Sequence, residues 1–199
     1  MCAARGWLNE NWLYAGLTGG CFYLAMLPLL RPAHSGAWST PDLLLYLQLP
    51  LYMSHQLEEH YHDRFRLYVN THLGHGCELL TKDAVTFINV ISVWCVDLLA
   101  LYGARFGCVS WALAAFYLAI VNGIVHLLAA LRTRNYNPGL VTALVLLLPA
   151  ASRGAAVYSR ANHLGAGENL GYAGLAVALH AAIIAYVARR RAILIASRV

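Results

Sequence analysis

The sequence predicts an all-α fold: a polytopic bundle of about six membrane-spanning helices, with both termini cytoplasmic. Three observations point to it. Of 199 residues, 60% are hydrophobic and only 12% charged, with a mean hydropathy of +0.56, more apolar than one soluble core of that length hides. Several runs approach the roughly 20 apolar residues that cross about 30 Å of hydrocarbon. The positive residues bracket those runs instead of clustering with aromatics on one polar segment, which orients a membrane protein and argues against a nucleic-acid partner.

In chain order, the spans fall at about 12–30, 42–62, 84–102, 108–131, 139–158 and 170–188. Arg5, Asn9, Glu10 and Asn11 precede the first, a layout that superficially resembles a signal peptide; the apolar run is too long for one, and more spans follow. Arg31-Pro32 ends the first span and Pro41-Asp42 starts the second. Gly103 and Gly107 bracket the connection between the third and fourth, and Asn137-Pro138-Gly139 forces a turn before the fifth, which Pro149 and Arg153 interrupt.

With six spans, one side carries Arg5, Arg64, Arg66, Lys82, Arg132, Arg134, Arg189, Arg190, Arg191 and Arg198, and the other Arg31, Arg105, Arg153 and Arg160. Ten against four places both termini in the cytoplasm. With no repeat or linker evident, residues 1–199 read as a single transmembrane domain. Trp12, Trp38, Trp111 and Tyr136 read as interfacial belts, Gly19-Gly20 and Gly171 with Gly174 as points of close helix approach, and Asp97 as pairing with Arg105 or Arg153. The five cysteines form no CxxC pair and are assigned neither disulfide nor metal.

The candidate functional centre is the second span's His55-Gln56-Leu57-Glu58-Glu59-His60-Tyr61-His62. On a continuous helix His55, Glu58, Glu59 and His62 share about 100° of arc, while His60 points away. Each ionised group at membrane depth costs roughly 2.5 to 3.5 kcal/mol, so the cluster is either a solvated helix end or a site where pairing or a metal offsets that cost. Glu59-x-x-His62 has the E-x-x-H spacing of helical di-iron and di-manganese carboxylate sites. Candidate metal ligands are therefore His55, Glu58, Glu59, His62 and His126, with Glu58, Glu59 and Asn122 as catalytic candidates. Asn122 and His126 stack four apart on the fourth span. Further candidates are His72 and His75, an H-x-x-H pair in the 63–83 connection read as a lid or a ligand source, with Asn89 and His180.

His55-Gln56-Leu57-Glu58-Glu59 matches the H-x-x-E-E signature, and Asn122-x-x-x-His126 and Tyr136-Asn137-Pro138-Gly139 follow in order as N-x-x-x-H and Y-x-P-G elements. In these features the chain resembles the HXXEE-domain family of bacterial integral membrane proteins, with an HXXEE-like core over about 42–139. The resemblance supports the choice of residues and not a substrate.

The expectation that follows is a membrane-embedded His/Glu metalloenzyme, of di-iron oxidoreductase type, hydroxylating or desaturating a lipid or amphipathic small molecule. It would sit in the bacterial inner membrane, facing the cytoplasm. Metal ions are the expected cofactor, iron favoured over zinc or manganese, with an electron-donor protein as a candidate partner beside the lipid bilayer. The alternatives are a zinc hydrolase of lipid amides or esters with Glu58 or Glu59 as base, a metal-free His/Glu isomerase, and a proton- or metal-coupled transporter, against which stand the short chain and the lack of an inverted repeat.

Overall fold

The computed structural model describes residues 2–30 and 39–197, with the backbone alone for 2–5. Arg31-Pro32, Trp38 and Arg198 lie outside the described residues, as does the side chain of Arg5. All regular elements among the described residues are helical. Helix α1 (Cys2–Ala25) is followed by α2 (Thr40–Tyr46), where the Ser39 hydroxyl accepts from the Asp42 N–H and Pro41 occupies the first turn, as the sequence predicts for a start. Helix α3 (Gln48–His60) continues α2 across a break at Leu47. Pro50 explains that break, because it lacks the N–H that would return to the carbonyl of Tyr46.

The helix predicted to run to residue 62 ends at His60. His62 and Asp63 both take left-handed φ values, 54° and 63°, and turn the chain into α4 (Arg64–His72). The Arg64 guanidinium donates to the carbonyl of Glu58 and satisfies one orphan acceptor of the ending helix.

Four helices are long and apolar enough to cross a membrane: α5 (Lys82–Phe106), α6 (Val109–Thr133), α7 (Leu140–Ala161) and α8 (Ala166–Ala196). Two of them widen locally to π-helix, at Phe87–Trp94 in α5 and Ala143–Leu147 in α7, a feature that often accompanies functional sites. In α7 the widened stretch lies just before Pro149, so the helix continues through the proline and past Arg153 to Ala161.

Helix α6 is the centre of the bundle, with Ala112, Leu113, Ala115, Phe116 and Ala119 fully buried. The ring of Phe116 fills the space beside Gly154 on α7, and Leu148 packs on Gly123, so small residues set these approaches. Gly20 approaches Met53, whereas Gly19, Gly171 and Gly174 have open space around them and mark no close contact. Trp12, expected in an interfacial belt, is instead buried against Trp94 and His60. Trp111 and Tyr136 are exposed. Asp97 pairs with neither arginine: it is buried and neither carboxyl oxygen has a hydrogen-bond partner. Helix α8 presents mostly exposed apolar side chains, among them Leu170, Leu175, Val177, Ile184 and Ile193.

Candidate metal centre

Three of the predicted residues converge. Donor atoms of His55, Glu59 and His126 lie within 4.8 Å of one another, and all three residues are buried. His55 and Glu59 are one turn apart on α3, so their side chains emerge on one face. Helix α6 brings His126 across from them, and the two imidazoles meet edge to face at 5.0 Å. The Glu59 carboxylate sits between, with Oε2 3.5 Å from His55 Nε2 and Oε1 3.6 Å from His126 Nε2.

The outer nitrogens of both rings are fixed by the turn before α7. Asn137 Nδ2 donates to the carbonyl of His126, which leaves Asn137 Oδ1 to accept from His126 Nδ1 at 2.6 Å. His55 Nδ1 lies 2.9 Å from Thr142 Oγ1, and that hydroxyl gives its single proton to Glu58 Oε2. Thr142 therefore accepts from His55 Nδ1–H.

With Nδ1 protonated in both rings, each neutral imidazole turns an Nε2 lone pair toward an acceptor-only carboxylate. A cation between them, a proton on Glu59 or a second proton on a ring makes that approach attractive. Donors bound at about 2.0–2.1 Å around a tetrahedral ion stand roughly 3.3 Å apart; the 3.5 and 3.6 Å contacts reach different oxygens of Glu59, and one donor atom from each residue lies within 4.8 Å of the others, so binding would draw the three together. An imidazole donating its remote N–H to an oxygen is also the usual outer shell of a metal-bound histidine. The residues fit a metal ion.

Glu58, predicted as a ligand and catalytic group, does not join the cluster. Its carboxylate accepts from Tyr136 Oη at 2.8 Å, the backbone N–H groups of Val141 and Thr142 at 3.2 and 2.7 Å, and the Thr142 hydroxyl. It anchors the turn that holds both imidazoles. Tyr136 feels the same contact from the other side, its hydroxyl pKa raised by burial and by the carboxylate it touches.

His62 does not join either, because the left-handed turn carries it off the α3 face into a polar cavity of about 310 Å³ with Glu10, Asp63 and Lys82. The Glu59-x-x-His62 spacing is therefore not realised on a helix. His60, which helical periodicity turns away, is buried with Nε2 3.2 Å from Glu59 Oε2, and its ring packs edge-on against Trp12 of α1. The contact from α1 had no local signal in the sequence.

Of the remaining candidates, Asn122 donates to the Tyr52 hydroxyl, and Tyr52 packs edge-on against His55. Asn89 Oδ1 accepts from Gln56 Nε2 at 2.8 Å, and Trp94 Nε1 donates to Gln56 Oε1 in turn. His72 bonds the carbonyl of Tyr68 and His75 faces Arg191, so this pair supplies no donor to the cluster. His180, Asn89 and Asn122 line a cavity of about 380 Å³ that also reaches Glu59 and His126.

Gly139 closes the other side with φ +97°; a Cβ there would stand 2.8 Å from Cε1 of both His55 and His126. The three sequence elements thus form one object. The H-x-x-E-E helix supplies two donors and an anchor, N-x-x-x-H the third donor, and Y-x-P-G the turn that orients both rings and leaves room for them.

Fold and site together define a helical membrane protein with a buried His/Glu centre. The family described as "Protein of unknown function with HXXEE motif" matches residues 46–152, more than half of the chain, and the chain belongs to that family. Neither curated proteins nor solved structures gave a match to the chain.

Proposed function

We propose that this chain is a membrane metalloenzyme with one ion held by His55, Glu59 and His126, acting as an oxidoreductase on a lipid or amphipathic molecule. The observation that carries the reading is the pair of Nε2 lone pairs facing the Glu59 carboxylate while both Nδ1 positions are occupied. The metal-free alternative needs a proton on Glu59 or on a ring, held away from water beside a second imidazole whose centroid is 5.0 Å from the first. One ion suits the donors better than the expected pair, because Glu58 is committed to the 136–142 turn.

Two histidines and one carboxylate form the donor set of non-haem iron oxygenases, and iron on it supplies oxygen-dependent hydroxylation or desaturation. Zinc on the same set would support hydrolysis. Of the two bases expected for hydrolysis, Glu59 is taken up by the ion and Glu58 already accepts four hydrogen bonds, and the 380 Å³ cavity is lined mainly by apolar side chains. Both features favour the redox version. Within it, Glu59 and the two histidines bind, Asn137 and Thr142 orient, and the bundle excludes water. An electron-donor protein would complete the reaction.

We place α1 and the α2–α3 rod in the membrane beside the four long apolar helices, giving six spans, both termini in the cytoplasm and the centre at the cytoplasmic end, in a bacterial inner membrane. The excess of Lys and Arg on that side supports the orientation.

Elemental analysis of the detergent-purified protein tests the proposal. Iron near one equivalent is the expected result; zinc alone would move the function to hydrolysis. Glu59→Ala and His126→Ala should each lose the metal while staying folded, and His62→Ala should keep it. Full metal content in the first two variants would refute the ligand set.

A further inference from the structure

The cavity beside the centre has a direction. On α8 its wall includes Leu179, Ile183, Val187 and Arg191, successive positions four apart on one face. The twelve steps from Leu179 to Arg191 rise about 18 Å along the helix, close to half of the roughly 30 Å hydrocarbon thickness. Opposite them, α6 contributes Leu118 and Val125 as well as the ligand His126. The cavity is therefore long, apolar and as deep as one membrane leaflet.

Its charge is confined to two residues. Among the described residues, Glu59 and Arg191 are the only acidic or basic side chains, histidines apart, that line it. Glu59 is engaged by three histidines. Arg191 is exposed and lies 3.5 Å from His75 Nε2; among the described residues no carboxylate lies within ion-pair distance of it. Arg190 beside it donates to the carbonyl of Glu78, which leaves Arg191 as the cation facing the opening. A guanidinium offers paired N–H donors that match a carboxylate or phosphate.

We infer that the substrate is a single-chain amphiphile with an anionic head, held by Arg191 at the mouth while its chain runs along α8 past the metal centre. The volume of about 380 Å³ lies at the small end of ligand pockets and suits one chain, not two. This deepens the metalloenzyme reading by naming the substrate class of the same site, and it rests on that reading for the site being catalytic.

Binding can be read without turnover. Displacement of a fluorescent fatty-acid analogue from the purified protein would be measured with palmitate, hexadecyl phosphate, methyl palmitate and a two-chain phosphatidic acid. Palmitate or hexadecyl phosphate should displace at least about tenfold more effectively than methyl palmitate, and the better of the two identifies the head as carboxylate or phosphate. Arg191→Gln should erase the preference over the methyl ester and leave metal content unchanged. Ile183→Trp should weaken all single-chain probes together. Equal displacement by methyl palmitate, a preference that survives in Arg191→Gln, or equal displacement by phosphatidic acid would overturn the inference. Metal measured on the same samples separates the two readings: an intact head-group preference without metal would sink the metalloenzyme and leave the binding site standing.

Discussion

Two buried carboxyl groups lie in this bundle under opposite conditions. Glu59 on α3 has a histidine nitrogen within 3.6 Å on three sides, and two of those rings are braced by the further hydrogen bonds they donate to Thr142 and Asn137. Asp97 on α5 is as deeply buried and has no hydrogen-bond partner at either oxygen. Both cost the fold something, since a polar group away from water is expensive unless it is paired. The contrast teaches how to tell a built site from a tolerated one: around Glu59 two of the three histidines are themselves held by a further hydrogen bond, whereas Asp97 has no hydrogen-bond partner at all.

The largest predicted break in that contrast is at Gly139. Alanine there would place its Cβ 2.8 Å from both imidazoles and hold a non-glycine residue at φ +97°, a backbone conformation that costs of order 1–3 kcal/mol. Gly139→Ala should abolish metal retention as completely as loss of His126, although residue 139 donates nothing. Elemental analysis of the variant checks this, and metal content equal to the parent would show that the turn is not pressed against the rings.

Smaller effects are expected from the groups that brace the rings. Asn137→Leu and Thr142→Val remove the acceptors of His126 and His55 and should each weaken metal affinity by about 10 to 100-fold, the usual result of losing an outer-shell partner. Competition with a chelator of known affinity measures it. If both variants match the parent, the imidazoles are held by packing alone and the tautomer argument fails.

How much of this was legible in the sequence follows the physical range of each interaction. His55 with Glu59 and Asn122 with His126 are four apart on helices, so periodicity alone put each pair on one face. The apolar runs likewise foretold α5 to α8. His62 lies off the predicted face because periodicity assumes that the helix continues, and nothing local in Tyr61-His62-Asp63 announces two consecutive left-handed residues. His60 was dismissed by the same rule and is brought to Glu59 where the helix ends against Trp12, a contact 48 positions away in sequence. Glu58 was assigned by residue type; that it anchors the 136–142 turn depends on the packing of α3 against α7. Short-range periodic features were readable, and roles set by helix termination or by contact between distant segments were not.

The smallest effect should come from Asp97, and it tests the other half of the contrast. Asp97→Asn keeps the shape and removes the potential charge, so no partner is lost because none exists among the described residues. Exchanging one unpartnered buried polar group for another orphans no partner and changes stability by about 1 kcal/mol, so thermal unfolding in detergent should shift by only a few degrees. Metal content should be unchanged. A strong loss of stability or of metal in Asp97→Asn would mean that this carboxyl is coupled to the centre through α5, whose widened stretch carries Asn89 onto Gln56 and into the cavity wall. The bundle would then hold one extended polar network in place of a built centre and an isolated acid.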